Sequence, residues 1–69
     1  MKKISVLIAG RHATSISLED EFMDALKDIA KKQKKSINDI ITEIDSNRGK
    51  KNLSSAVRIY ILQAVLAGN

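Results

Sequence analysis

The chain contains no cysteine and no proline, a single histidine (His12), and only two aromatic residues. The absence of cysteine excludes disulfides and the usual thiolate zinc sites, and one histidine lacks the partner ligands of a metal site. A chain of 69 residues buries little of its surface as a monomer. Because small domains usually add disulfides, metals or further subunits, these absences predict a homodimer without cofactor or metal.

Patterns of catalysis and of membrane insertion are missing too. The three glycines are isolated, so there is no phosphate-binding glycine loop, and no nucleophile, base and acid share a plausible spacing. No apolar run approaches the roughly 20 residues of a membrane span. The apolar run after Met1 is short and is followed at once by Arg11, unlike a secretory signal. We therefore expect a cytoplasmic, non-enzymatic protein with no small-molecule substrate.

What the chain does have is positive charge. Twelve Lys and Arg against eight Asp and Glu give a net charge of +4 and a pI near 9.6. This balance favours a partner that carries phosphates, either nucleic acid or an anionic membrane surface.

Polar and apolar residues alternate from His12 to Leu18. Ile16 and Leu18 fall on one face and Ser15 and Ser17 on the other, which predicts one short strand with an apolar side. Residues 4–8 alternate more loosely, so residues 1–10 are interpreted as an N-terminal arm or an extra strand, and residues 11–69 as the main domain.

Three helices follow the strand. The first is predicted from Glu19 to about Lys34, with Phe22, Leu26, Ile29 and Ala30 as its apolar stripe. The second is predicted to begin after Ser36 as N-cap, with Asp39 three residues on, and to end near Gly49. The third is predicted over residues 53–67 after Asn52.

The third predicted helix is apolar around most of its surface, with eleven apolar residues in fifteen. A helix of this kind is buried on several sides. We therefore predict that it forms a dimer interface, the alternative being a core helix of a monomer. It has too few polar residues for the reading helix of a helix-turn-helix, and the loop before it is longer than in that motif.

A lone strand would leave its edges unpaired. Pairing with the same strand of a second subunit would give a two-stranded ribbon whose polar face fits the major groove. A polar solvent face of an ordinary sheet is the alternative interpretation.

Two segments resemble the ribbon-helix-helix family, whose Arc and MetJ members are β-ribbon DNA readers. Residues 11–22 (RHATSISLEDEF) look like the opening of a bacterial branch of predicted DNA-binding members, and residues 52–58 (NLSSAVR) are similar to its downstream motif. The resemblance covers about residues 11–62. One departure is Met23, where the branch often has tryptophan.

The resemblance implies a mainly α fold with one short strand and an additional C-terminal helix, in an intertwined homodimer joined by an intersubunit antiparallel ribbon. Its implied function is sequence-specific binding of double-stranded DNA by a transcriptional regulator, expected to be a repressor. A protein-interaction module, such as an antitoxin or adaptor, is the alternative. By the resemblance, bases would be contacted by Arg11, Ser15 and Ser17, with His12, Ala13 and Thr14 nearby, and phosphates by Ser36, Ile37 and Asn38. Because the base-facing residues are small, specificity would be modest or would depend on DNA shape.

Overall fold

The computed structural model describes residues 1–68, which form two strands and three helices. Strand β1 spans Lys2–Ile8 and strand β2 spans His12–Leu18. Helix α1 spans Asp20–Gln33, helix α2 spans Ile37–Asn47 and helix α3 spans Leu53–Leu66.

The two strands pair with each other as an antiparallel hairpin, with Ile8 opposite His12 and Lys2 opposite Leu18. The expectation of a single strand is therefore wrong, and a ribbon forms within one chain. The reason lies in the connection: Ala9 and Gly10 both have positive φ, and the Arg11 N–H donates to the Ile8 carbonyl at 3.0 Å. Paired positive φ values match the right-handed twist of the flanking strands and close a tight hairpin.

One face of this hairpin packs on the helices. The alternate residues of β1 and β2 point inward, as the period of two requires. The buried hydrophobic residues form one cluster: Val6, Ile8, Ile16, Leu18, Met23, Leu26, Ile29, Ala30, Ile40, Ile41, Ile44, Ala56, Val57, Ile61 and Ala64. Met23 is buried, whereas Phe22 is only half-buried at the edge of the cluster, so the predicted stripe of α1 is shifted by one residue at its start.

The helix ends match their sequence signals. The Ser36 hydroxyl accepts from the Asp39 N–H at 3.0 Å, and the Asn52 side chain accepts from the Ser55 N–H at 3.3 Å. Each cap satisfies one of the N–H groups left open at a helix start. Gly49, near which the second helix was predicted to end, has a positive φ and lies two residues after the end of α2.

Helix α3 divides into a buried and an exposed apolar side. Its inner side belongs to the core, while Leu62, Val65 and Leu66 are more than half exposed. Residues 1–68 thus cover only one side of the helix that the sequence predicted to be buried on several sides. None of the helices in the described part of the chain has the length and apolar character needed to span a membrane.

Candidate nucleic-acid interface

The outer face of the hairpin is the polar surface that the alternation of β2 predicted. Ser15 and the adjoining Ala13 are exposed there, and Ser17 is half-buried. Strand β1 adds residues of the same parity: Ser5 lies directly opposite Ser15, and Lys3 lies opposite Ser17. Leu7, which lies opposite Ala13, is on the same face and is 44% exposed. The face therefore consists of small side chains in the middle, a cation at one end and an exposed leucine at the other.

The remaining predicted base-contacting residues lie elsewhere on the hairpin. Arg11 is exposed in the turn and His12 is exposed at the start of β2. Thr14 is half-buried on the inner parity, opposite Val6. The structure thus brings Ser15 and Ser17 together on one face, places Arg11 at the tip, and turns Thr14 towards the core.

The two long edges of the hairpin can be assigned from its hydrogen bonds. In an antiparallel pair, residues that do not bond their opposite neighbour direct both N–H and C=O outward. The Leu7 N–H bonds outside the sheet, and Leu7 faces Ala13. By this alternation, Ala13, Ser15 and Ser17 direct their backbone groups away from β1, along the outer edge of β2.

The outer edge of β1 is covered by α2. The Leu7 N–H donates to the Asn38 side-chain oxygen at 3.4 Å, and the Ala9 N–H donates to the Thr42 hydroxyl at 3.3 Å. These bonds connect the edge to two side chains one helical turn apart. They explain why a single chain accommodates β1 as part of the fold rather than as a loose arm.

The predicted phosphate-contacting residues are therefore partly engaged within the chain. Ser36 caps α2 and Asn38 accepts from β1, whereas Ile37 is half-buried. Within residues 1–68, the N–H groups of Ile37 and Asn38 have no hydrogen-bond partner, as is normal in the first turn of a helix. These two groups, at the positive end of the helix dipole, are suited to an anion.

One end of the β2 edge is held by α3. The Arg58 guanidinium donates to the Glu19 carboxylate at 2.9 Å and to the Ser17 carbonyl at 3.4 Å. The hydrogen bond from Arg58 lowers the pKa of Glu19 below its ordinary value of 4.5. Because Glu19 precedes α1 and Arg58 ends the NLSSAVR segment, this contact joins the two segments that carry the family resemblance.

Sequence reasoning left residues 1–10 open as an arm or an extra strand and did not assign β1 to this face. Lys3 and Ser5 share it with β2. The alternation of Ile4, Val6 and Ile8 carried the signal, because it matches the parity of a strand with the same buried face.

A paired ribbon with a polar outer face and an apolar inner face on helices defines a small β-ribbon domain. The family model of the ribbon-helix-helix domain matches residues 1–65. The chain belongs to the ribbon-helix-helix family, whose members are typically non-enzymatic DNA-binding proteins that act as dimers. Comparison with curated proteins and with solved structures gives no match.

Proposed function

We propose that this chain is a homodimeric transcriptional regulator, acting as a repressor, that binds double-stranded DNA sequence-specifically through the outer face of its ribbon. The observation that carries the proposal is this face itself, in a chain of the ribbon-helix-helix family. Small polar side chains, with Ser15 at the centre, project from a sheet whose other side is buried. A two-stranded ribbon fits the major groove, where hydroxyl and guanidinium groups hydrogen-bond to base edges.

The dimer forms through the outer edge of β2. Ala13 and Ser15 direct backbone donors and acceptors into solvent there, and a second copy of β2 satisfies them in an antiparallel ladder. The resulting sheet has four strands, with β1 of each copy on the outside. The two copies of β2 at its centre are the two-stranded ribbon that enters the groove. Ser15 and Ser17 then lie over the bases with Arg11 beside them, while Lys3 lies towards the phosphates.

The contacts to phosphate come from the start of α2. The open N–H groups of Ile37 and Asn38 donate hydrogen bonds to one phosphate oxygen, as the N–H groups at helix starts commonly do. Ser36 holds that turn in shape through its cap to Asp39.

Selection of duplexes from a random DNA library at near-physiological salt tests this proposal. The expected result is an inverted repeat, because a symmetric dimer reads two identical half-sites. Affinity should fall steeply with salt, since each neutralised phosphate releases counterions. Recovery of no preferred duplex by folded, soluble protein would overturn sequence-specific DNA binding.

Substitutions on the ribbon then locate the reading surface. Arg11→Ala should weaken binding to the selected duplex by about 1–3 kcal/mol, and Ser17→Ala should relax preference at one base pair. The matched controls are two substitutions away from the ribbon. Lys27→Ala removes one charge from the exposed face of α1, and Ser55→Ala removes one exposed hydroxyl from α3. If each ribbon variant binds as its control does, the ribbon does not read the DNA.

A second candidate function is a protein-interaction module of the antitoxin or adaptor kind. It is favoured by an apolar groove between α1 and α3, lined by Phe22, Ala25, Leu62 and Val65. A stoichiometric partner that co-purifies from the native cell with the wild type, and is lost with Leu62→Lys, would support this function over the first.

A further inference from the structure

A cleft of about 470 Å³ opens between the end of α1, the second half of α2 and the start of α3. Its volume lies in the range of small-molecule sites, roughly 300–1,000 Å³. No residue of β1 or β2 lines it, so it is separate from the candidate nucleic-acid interface. The proposed function gives this cleft no role.

The base of the cleft is apolar. Ile44 and Ala56 are buried in the core beneath it, and Ile59 is partly exposed at its side. Tyr60 also lines the cleft and is half-buried. A ligand seated here would therefore contact apolar and aromatic surface, which favours a molecule with a flat hydrocarbon body over a small inorganic ion.

The rim of the cleft is rich in hydrogen-bond donors. Lys35 and Arg48 lie on it, each already bonded to an acidic side chain, Lys35 to Glu43 at 2.8 Å and Arg48 to Asp45 at 2.7 Å. Lys51 also lies on it, and its ammonium group has no protein partner within residues 1–68.

The phenol of Tyr60 adds a further donor. Its oxygen accepts a hydrogen bond from the Gln33 side-chain nitrogen at 3.0 Å, which leaves the hydroxyl proton available to an acceptor. The charges on the lining are three cations and one carboxylate, Glu43. The cleft thus offers a net positive rim above an apolar base.

We infer that this cleft is a binding site for a small aromatic carboxylate, with the ring on Ile44, Ala56 and Ile59 and the carboxylate between Lys51 and Tyr60. A cation is disfavoured by the charge of the rim. A DNA strand is disfavoured because the apolar base would have no partner in a phosphate backbone.

Titration with salicylate, followed residue by residue in two-dimensional NMR spectra, tests this inference without any DNA. The expected result is a saturable change confined to the residues around the cleft: Gln33 at the end of α1, Lys35, the second half of α2, residues 48–51, and residues 56–63 of α3. Lys51→Gln should raise the Kd about threefold or more, because it removes the unpaired ammonium group that would bind the carboxylate. Salicylamide, which keeps the ring but carries no charge, should bind more weakly than salicylate.

Lys27→Gln is the matched control, since it removes the same charge from an exposed position outside the cleft. It should leave the Kd for salicylate unchanged. The inference is overturned if salicylate causes no saturable change, if the changes spread over the lysines at the end of α1 instead, or if Lys27→Gln and Lys51→Gln weaken binding equally.

Discussion

The two edges of the ribbon differ in how far the rest of the fold covers them with hydrogen bonds. The outer edge of β1 bonds to the side chains of Asn38 and Thr42. Within residues 1–68, the outer edge of β2 is hydrogen-bonded by another element only at its end, where Arg58 donates to the Ser17 carbonyl. Unpaired strand edges tend to pair with other chains, and folds normally cover them. A fold that covers one edge and leaves the central part of the other open directs strand pairing to a single side.

The largest expected effect on dimerisation comes from placing a proline on one edge or the other. Ser15 and Ser5 face each other, and both direct their N–H groups outward, so proline at either position spares the bonds within the hairpin. Ser15→Pro should remove a donor from the β2 edge and raise the Kd of the dimer about tenfold or more. Ser5→Pro should leave the dimer intact.

Sedimentation equilibrium measures the association of both variants, and thermal unfolding checks that each is folded. Equal dimerisation of two folded variants would contradict pairing through β2.

Amide hydrogen exchange compares the edges without substitution. In dilute, monomeric protein, the Leu7 and Ala9 amides should exchange more slowly than those of Ala13 and Ser15, by about tenfold or more. The reason is that, within residues 1–68, the first two amides are hydrogen-bonded and the other two are not. At concentrations where the protein dimerises, the Ala13 and Ser15 amides should become protected. If they exchange equally fast at every concentration, the second copy binds elsewhere.

Thr42→Val tests the covered edge. The substitution keeps the shape of the side chain and removes the hydroxyl that accepts from the Ala9 N–H at 3.3 Å. We expect a loss of about 1 kcal/mol in the free energy of unfolding, the usual net value of one such hydrogen bond. Chemical denaturation measures it. Asn47→Ala is the comparison, since the Asn47 side chain donates to the Glu43 carbonyl of its own helix. An equal loss of unfolding free energy in both variants would exclude a specific role for the β1 edge.

The smallest expected effect concerns the contact at the end of β2. Because the folded pKa of Glu19 is lowered, its ion pair with Arg58 stabilises the fold above the ordinary pKa of 4.5, and this contribution is lost as pH falls through the lowered pKa. Arg58→Gln should therefore destabilise the protein slightly at neutral pH, and its gap to the wild type should narrow in acid to the part that comes from the lost hydrogen bond to the Ser17 carbonyl. Thermal unfolding across this pH range measures the difference, and a constant gap down to the lowest pH would exclude the ion pair as its source.

Much of the architecture could be predicted from local patterns. The caps at Ser36 and Asn52 and the alternation of β2 each depend on neighbouring residues, and all three are confirmed. The partner of β2 could not be predicted in this way. A two-residue period gives the face of a strand but not which strand lies beside it, and the turn depends on Ala9 taking a positive φ that alanine seldom adopts.

For the candidate site, too, local patterns predicted which way residues face but not which residues they contact. The outward positions of Ser15 and Ser17 follow from parity, but the use of Asn38 as a partner of β1 does not, because it joins residues 31 apart in the chain. Likewise, no local pattern could show that α3 leaves Leu62 and Leu66 exposed, since that depends on how the other helices share its surface.

The closure of the ribbon within one chain also affects how the protein folds. Only residues 9–11 separate the paired strands, so bringing them together costs little chain entropy and a hairpin of this kind forms in about 1–10 μs. Formation of a ribbon from two chains would instead require an encounter between two molecules. We expect the sheet of this protein to refold at a rate that does not depend on protein concentration, with association following as a separate, second-order phase.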